Sequence, residues 1–76
     1  MDAHARHELW WRSLNDAQRR EATLITGDLP PWMLRTLSTA GIDTHLIHLS
    51  NGALDYSVAF MTTSLRDFID IHARDL

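Results

Sequence analysis

The sequence predicts a small α+β domain, with two N-terminal helices, a β-hairpin and a C-terminal amphipathic helix in a single unit spanning residues 1–76. Two observations carry this prediction. An Asn-Gly pair stands between two apolar runs, and helix-spaced apolar residues bounded by Pro and Gly flank those runs. An all-α bundle is the alternative, because four apolar residues also fall on one helical stripe: Leu54, Val58, Met61 and Leu65.

Residues 1 to about 27 are predicted to be helical. Asn15 and Gln18 have the spacing of a capping box, so this region forms either one helix or two. Gly27 is expected to end it, because glycine readily adopts the left-handed conformation that follows many helices. The apolar stripe of the region comprises Leu9, Trp10, Leu14, Ala17, Leu24 and Ile25.

The next helix is predicted from Pro31 to about Ala40. Pro30 disfavours helical backbone at Leu29, whereas Pro31 suits the first turn of a helix. Gly41 follows the last apolar residue and is expected to end the helix.

The hairpin is predicted to have strands at about 43–49 and 53–61, with Asn51-Gly52 as a type I′ turn. Strand side chains alternate between faces, so this turn makes one face mostly apolar. We expect the last helix to cover that face, because an isolated two-stranded hairpin is marginally stable in water. The register pairs Leu49 with Leu54, Ile47 with Tyr56, His45 with Val58, and His48 with Asp55.

The C-terminal helix is predicted to begin after Met61, with Thr62 or Thr63 as its N-cap. It is the cleanest amphipathic pattern in the chain. Its apolar face comprises Leu65, Phe68, Ile69, His72 and Leu76.

Composition limits the possible environments and partners. The chain has no cysteine and therefore neither a disulfide nor a thiolate metal site. No apolar run approaches the roughly 20 residues of a membrane span, and the polar N-terminus lacks the apolar segment of a signal peptide. We therefore expect a cytoplasmic protein without membrane contact.

Five histidines are the only residues that suggest site chemistry. His4 and His7 could place two metal ligands on one helix face, but a solvated N-terminus is the favoured explanation. His48 opposite Asp55 is interpreted as an exposed cross-strand pair, and His72 as a buried, hydrogen-bonded side chain. Without a nucleophile motif, we predict no enzyme activity and no catalytic, cofactor-binding or metal-binding residue.

Aromatic residues indicate a binding role. A core of this size cannot easily contain three tryptophans, and an exposed tryptophan is a frequent anchor for another chain. We therefore predict a non-catalytic protein–protein interaction or regulatory module that forms a homodimer or docks on another protein, through exposed tryptophan or a hairpin edge. The predicted interface residues are Trp10, Trp11, Trp32 and Tyr56.

Two alternatives remain. Residues 37–50, with Gly41 in a turn, resemble part of a helix-turn-helix, and a helix followed by a hairpin resembles a winged helix, which implies nucleic-acid binding. The net charge of −3 and the absence of Arg and Lys between Arg35 and Arg66 oppose this, because phosphate contacts dominate such affinity. The other alternative is a small-molecule or metal-binding domain whose site forms at a dimer interface.

Overall fold

The computed structural model describes residues 2–75, and its element order confirms the predicted α+β class. An antiparallel hairpin occupies the segment that the all-α alternative assigned to helix. The elements are α1 (Ala3–Ser13), α2 (Asp16–Leu24), α3 (Pro31–Thr39), β1 (His45–Asn51), β2 (Leu54–Phe60) and α4 (Thr63–Ala73).

A capping box divides the N-terminal region into two helices. The side chain of Asn15 accepts a hydrogen bond from the Gln18 amide at 2.8 Å, and the Gln18 side chain accepts one from the Asn15 amide at 3.0 Å. These bonds satisfy amides that the start of α2 leaves without helical partners. Three helices, rather than two, therefore precede the hairpin.

The other helix ends lie at the predicted Pro, Gly and Thr residues, with one exception. Pro31 begins α3, Gly41 follows it with φ +72°, and the Thr62 hydroxyl accepts from the Leu65 amide at the start of α4. The prediction for Gly27 is wrong, because α2 already ends at Leu24 and its C-cap, Ile25, is extended.

The core lies between the helices and contains both adjacent tryptophans. Trp10 is 1% exposed and Trp11 is 8% exposed, so neither of these two predicted interface residues presents a free indole at the surface. The helix break at Asn15 is the reason: α1 buries its own i, i+3, i+4, i+7 stripe, whereas Leu9 faces solvent. That stripe consists of His7, Trp10, Trp11 and Leu14.

Helix α4 packs into this core along the predicted face. Leu65, Phe68 and Ile69 are buried and His72 is half-buried, while Leu76 lies outside the described residues. The Arg66 guanidinium donates to the carbonyl of Ile25 and so ties α4 to the end of α2.

The hairpin has a different register from the predicted one. Asn51 pairs with Leu54, so the two-residue turn consists of Gly52 and Ala53 instead of Asn51 and Gly52. Gly52 has φ +63° and no non-glycine residue among those described has positive φ, which suits a type II′ turn with glycine in its first central position. Each β1 residue therefore meets a partner two positions later than predicted, and the same side chains still share each face.

The expected cover of the hairpin by α4 is also wrong. Every residue of β1 and the first four residues of β2 are exposed, and only Ala59 of the hairpin is buried. Leu65, Phe68 and Ile69 instead pack in the core beside the indoles. The hairpin consequently extends from a helical body, and the molecule measures 44 × 26 × 19 Å.

We expect Trp10→Ala and Trp11→Ala each to lower the free energy of unfolding by about 3–5 kcal/mol, because each leaves a large cavity in the core. Urea unfolding followed by far-UV circular dichroism measures this change. Leu24→Ala is the control: Leu24 is 77% exposed, and its truncation should change the free energy by less than about 0.5 kcal/mol. A similar loss in all three variants would contradict this description of the core.

Candidate functional site

The exposed apolar side of the hairpin is the strongest candidate surface. We define the hairpin face as four large apolar side chains that point to one side of the ribbon: Ile47, Leu49, Leu54 and Tyr56. Leu49 lies directly opposite Tyr56, which is 48% exposed, and Leu54 is 69% exposed. A contiguous exposed apolar patch is typical of an interaction site.

The opposite side of the ribbon is more polar. His48 lies opposite Ser57, with 3.4 Å between its Nδ1 atom and the serine hydroxyl oxygen, while Asp55 lies opposite Ser50. The predicted direct pair of His48 with Asp55 is therefore wrong, because the turn lies one residue further along the chain. Leu46 is the exposed large apolar residue on this side.

The backbone of β1 has a side that faces away from β2. The pair that closes the turn, Asn51 and Leu54, is expected to be hydrogen-bonded, because the Asn51 carbonyl and the Leu54 amide occupy the ends of the turn. Bonded and non-bonded pairs alternate along an antiparallel ladder. The amides and carbonyls that point outward from β1 are therefore those of Leu46, His48 and Ser50.

A hydrogen bond at the outer edge of β2 supports this alternation. Ala59, the partner of Leu46, accepts a bond from the Leu29 amide at 2.8 Å, so its carbonyl points away from β1. The loop before α3 thereby occupies one end of the outer edge of β2, and Asp55 lies nearer the turn on the same strand. The two edges of the hairpin are thus chemically different.

The four predicted interface residues lie in different environments. Trp10 donates from its indole nitrogen to the Thr36 hydroxyl at 3.0 Å, within the core. Trp11 is also in the core, with the Arg19 guanidinium 5.8 Å from its ring centroid. Neither indole can anchor a partner unless the core opens.

The other two predicted interface residues are more accessible. Trp32 is half-buried, and its indole nitrogen is buried without a hydrogen-bond partner among residues 2–75. Tyr56 is exposed on the hairpin face. It is the one predicted interface residue that lies on the candidate surface.

A cluster of histidines joins α1 to α4. Glu8 Oε1 lies 3.3 Å from His72 Nε2 and 3.6 Å from His4 Nε2, and His72 Nδ1 donates to the Phe68 carbonyl at 2.9 Å. The His72 ring stacks on that of Phe68, with 4.0 Å between centroids. His72 is thus hydrogen-bonded against the core, close to its predicted role.

His7 is a core residue that sequence reasoning missed, and it is buried beside Phe68. Burial lowers its pKa below the ordinary value of 6.5, and the neighbouring His4 lowers the pKa further. Within residues 2–75, no group of three or more His, Asp or Glu side chains is placed to hold a metal ion. The cluster forms a contact between α1 and α4.

A groove of about 500 Å³ separates α1 from α3. Its lining is largely apolar, with Arg35 as its charged side chain, and it includes one edge of the buried Trp10. Neither an acid–base pair nor an activated nucleophile is among its lining residues, which are Leu9, Trp10, Ser13, Arg35, Thr36, Thr39 and Ala40.

Comparison of the chain with models of known protein families, with curated proteins and with solved structures finds no match. Across residues 2–75, no helix has both the length and the apolar character needed to cross a membrane.

The lowered pKa of His7 predicts a loss of stability in acid. In the unfolded state His7 binds a proton near pH 6.5, whereas in the folded state it does so only at lower pH. The free energy of unfolding should therefore fall as the pH drops below about 6.5. We expect His7→Leu to lose less stability than the wild type between pH 7.5 and pH 5.5, measured by urea unfolding. Equal losses in the two proteins would contradict this role of His7.

Proposed function

We propose that this chain is a non-catalytic interaction module that binds a second copy of itself through its hairpin. The observation that carries the proposal is the exposed hairpin face, where Leu49 and Tyr56 form an apolar cross-strand pair outside the core. Burying such side chains against a partner contributes on the order of 1 kcal/mol each.

A second copy is the favoured occupant because the hairpin is uncharged over most of its length. Asp43 and Asp55 are the only Asp or Glu residues between Arg35 and Arg66, and that segment has no Arg or Lys. Two such surfaces can meet with little like-charge repulsion. A hairpin that lacks cover within its own chain would also gain stability from association.

The same charge distribution makes nucleic acid a poor partner. A winged-helix arrangement would place α3 and the hairpin against the phosphates of a nucleic acid. Arg35 is the single Arg or Lys residue in these elements, so few phosphate charges could be neutralised. We expect no shift of a mixed-sequence duplex at low salt, where electrostatic binding is strongest.

Solution mass tests the proposed function. At tens of micromolar, light scattering on a size-exclusion peak should give about 17 kDa, twice the 8.7 kDa of one chain. Tyr56→Ala and Leu49→Ala should each raise the dissociation constant about fivefold or more, because each removes an apolar side chain from the buried surface.

Leu24→Ala is the matched control, because it truncates an exposed apolar side chain outside the hairpin. It should leave the dissociation constant unchanged. A strictly monomeric wild type, or an equal effect of all three substitutions, would refute self-association through the hairpin.

A further inference from the structure

We infer that two copies join antiparallel along β1, about a two-fold axis at His48, to form one four-stranded sheet in the order β2-β1-β1-β2. This inference rests on the proposed function, because it requires a dimer. It adds a specific edge, register and symmetry to that function.

One edge of β1 has free backbone hydrogen-bonding groups. The amides and carbonyls of Leu46, His48 and Ser50 point away from β2, and every residue of β1 is exposed. An edge strand of this kind is a template for another strand, because each added pair of residues satisfies backbone groups on both chains.

This edge of β1 also lacks the features that protect edge strands from pairing. Natural edge strands are commonly shielded by proline, charged side chains or bulges. Residues 44–54 contain no Pro, Arg, Lys, Asp or Glu, and the ladder from Asn51 to His45 pairs without a bulge. The β2 edge differs, because it has Asp55 and its Ala59 carbonyl is already bonded to Leu29.

One register pairs β1 with its own copy over the full length of the strand. His48 is the midpoint of His45–Asn51, so an axis there aligns all seven residues of the strand with the same strand of the second copy. His48 meets His48, and Leu46 meets Ser50 on each side of the axis. These are the residues whose backbone groups point outward, so about six intermolecular hydrogen bonds form.

The same register is favourable for side chains. Ile47 of one copy lies beside Leu49 of the other, because a two-fold axis at position 48 exchanges these positions. Both belong to the hairpin face, so the two faces merge into one apolar surface, while Leu46 stays on the opposite, more polar side of the sheet. The hydrogen bonds and the side-chain faces are both compatible with this arrangement, and the full-length overlap of the two strands selects it over axes at neighbouring residues.

A charge exchange at position 48 tests the axis directly. His48→Asp and His48→Lys each place like charges opposite one another in the homodimer, and each should raise the dissociation constant about threefold or more. An equimolar mixture should form heterodimers at least as readily as the wild type dimerises. Native mass spectrometry separates the three dimer masses and reports their proportions.

A pair of proline substitutions tests which edge is used. His48→Pro and Ser57→Pro lie on the same rung, and each removes an amide that points away from the hairpin interior. Both also remove the contact between these two side chains. His48→Pro should raise the dissociation constant about tenfold or more, whereas Ser57→Pro should leave it near the wild-type value. Circular dichroism and thermal melting check that both variants fold.

The outcomes separate this inference from the proposed function. A dimeric wild type whose His48→Asp and His48→Lys variants do not recombine preferentially would overturn the axis and leave self-association intact. Dissociation by Ser57→Pro but not by His48→Pro would overturn the choice of edge. A wild type that is monomeric at tens of micromolar would refute both proposals, and preferential heterodimers together with selective loss in His48→Pro would support both.

Discussion

The burial of two adjacent indoles in a small helical core is the constraint on which the rest of this structure depends. Trp10 and Trp11 of α1 are buried in the core, where Thr36 of α3 accepts the Trp10 indole hydrogen and the Trp11 ring lies beside Phe68 of α4. Residues of this size contribute strongly to the stability of a short chain. They share the core with the apolar faces of the helices, and the hairpin extends into solvent outside that core.

Much of the fold could be predicted because its signals are local. The Asn15 capping box, the proline start of α3, the Gly41 stop and the apolar stripe of α4 each depend on residues within one or two helical turns. The existence of the hairpin follows from a turn signal between apolar runs. Gly27 is the exception among the helix ends, because the helix before it ends three residues earlier.

The burial of individual side chains was harder to predict, because it depends on how helices distant in the sequence pack together. Two stripes of α1 have helical spacing, one through Leu9 and one through His7. The stripe through His7 contains a polar residue, which makes it the less obvious choice for the buried face. With the break at Asn15, α1 is a separate helix that buries the stripe containing both tryptophans. The predicted hairpin register was wrong because glycine can occupy either central position of a two-residue turn. Moving Gly52 from the second position to the first changes the partner of every residue in the hairpin.

The difference between the two hairpin edges has a consequence for assembly size. A ribbon whose two sides were equally open to pairing could add copies without limit and grow into a fibre. Here the hydrogen bond from the Leu29 amide to the Ala59 carbonyl and the carboxylate of Asp55 make the outer edge of β2 a poor template for another strand. The outer edge of β1 is free to pair. Pairing through β1 alone stops at a dimer, because each copy uses its β1 edge to bind the other and no free β1 edge remains.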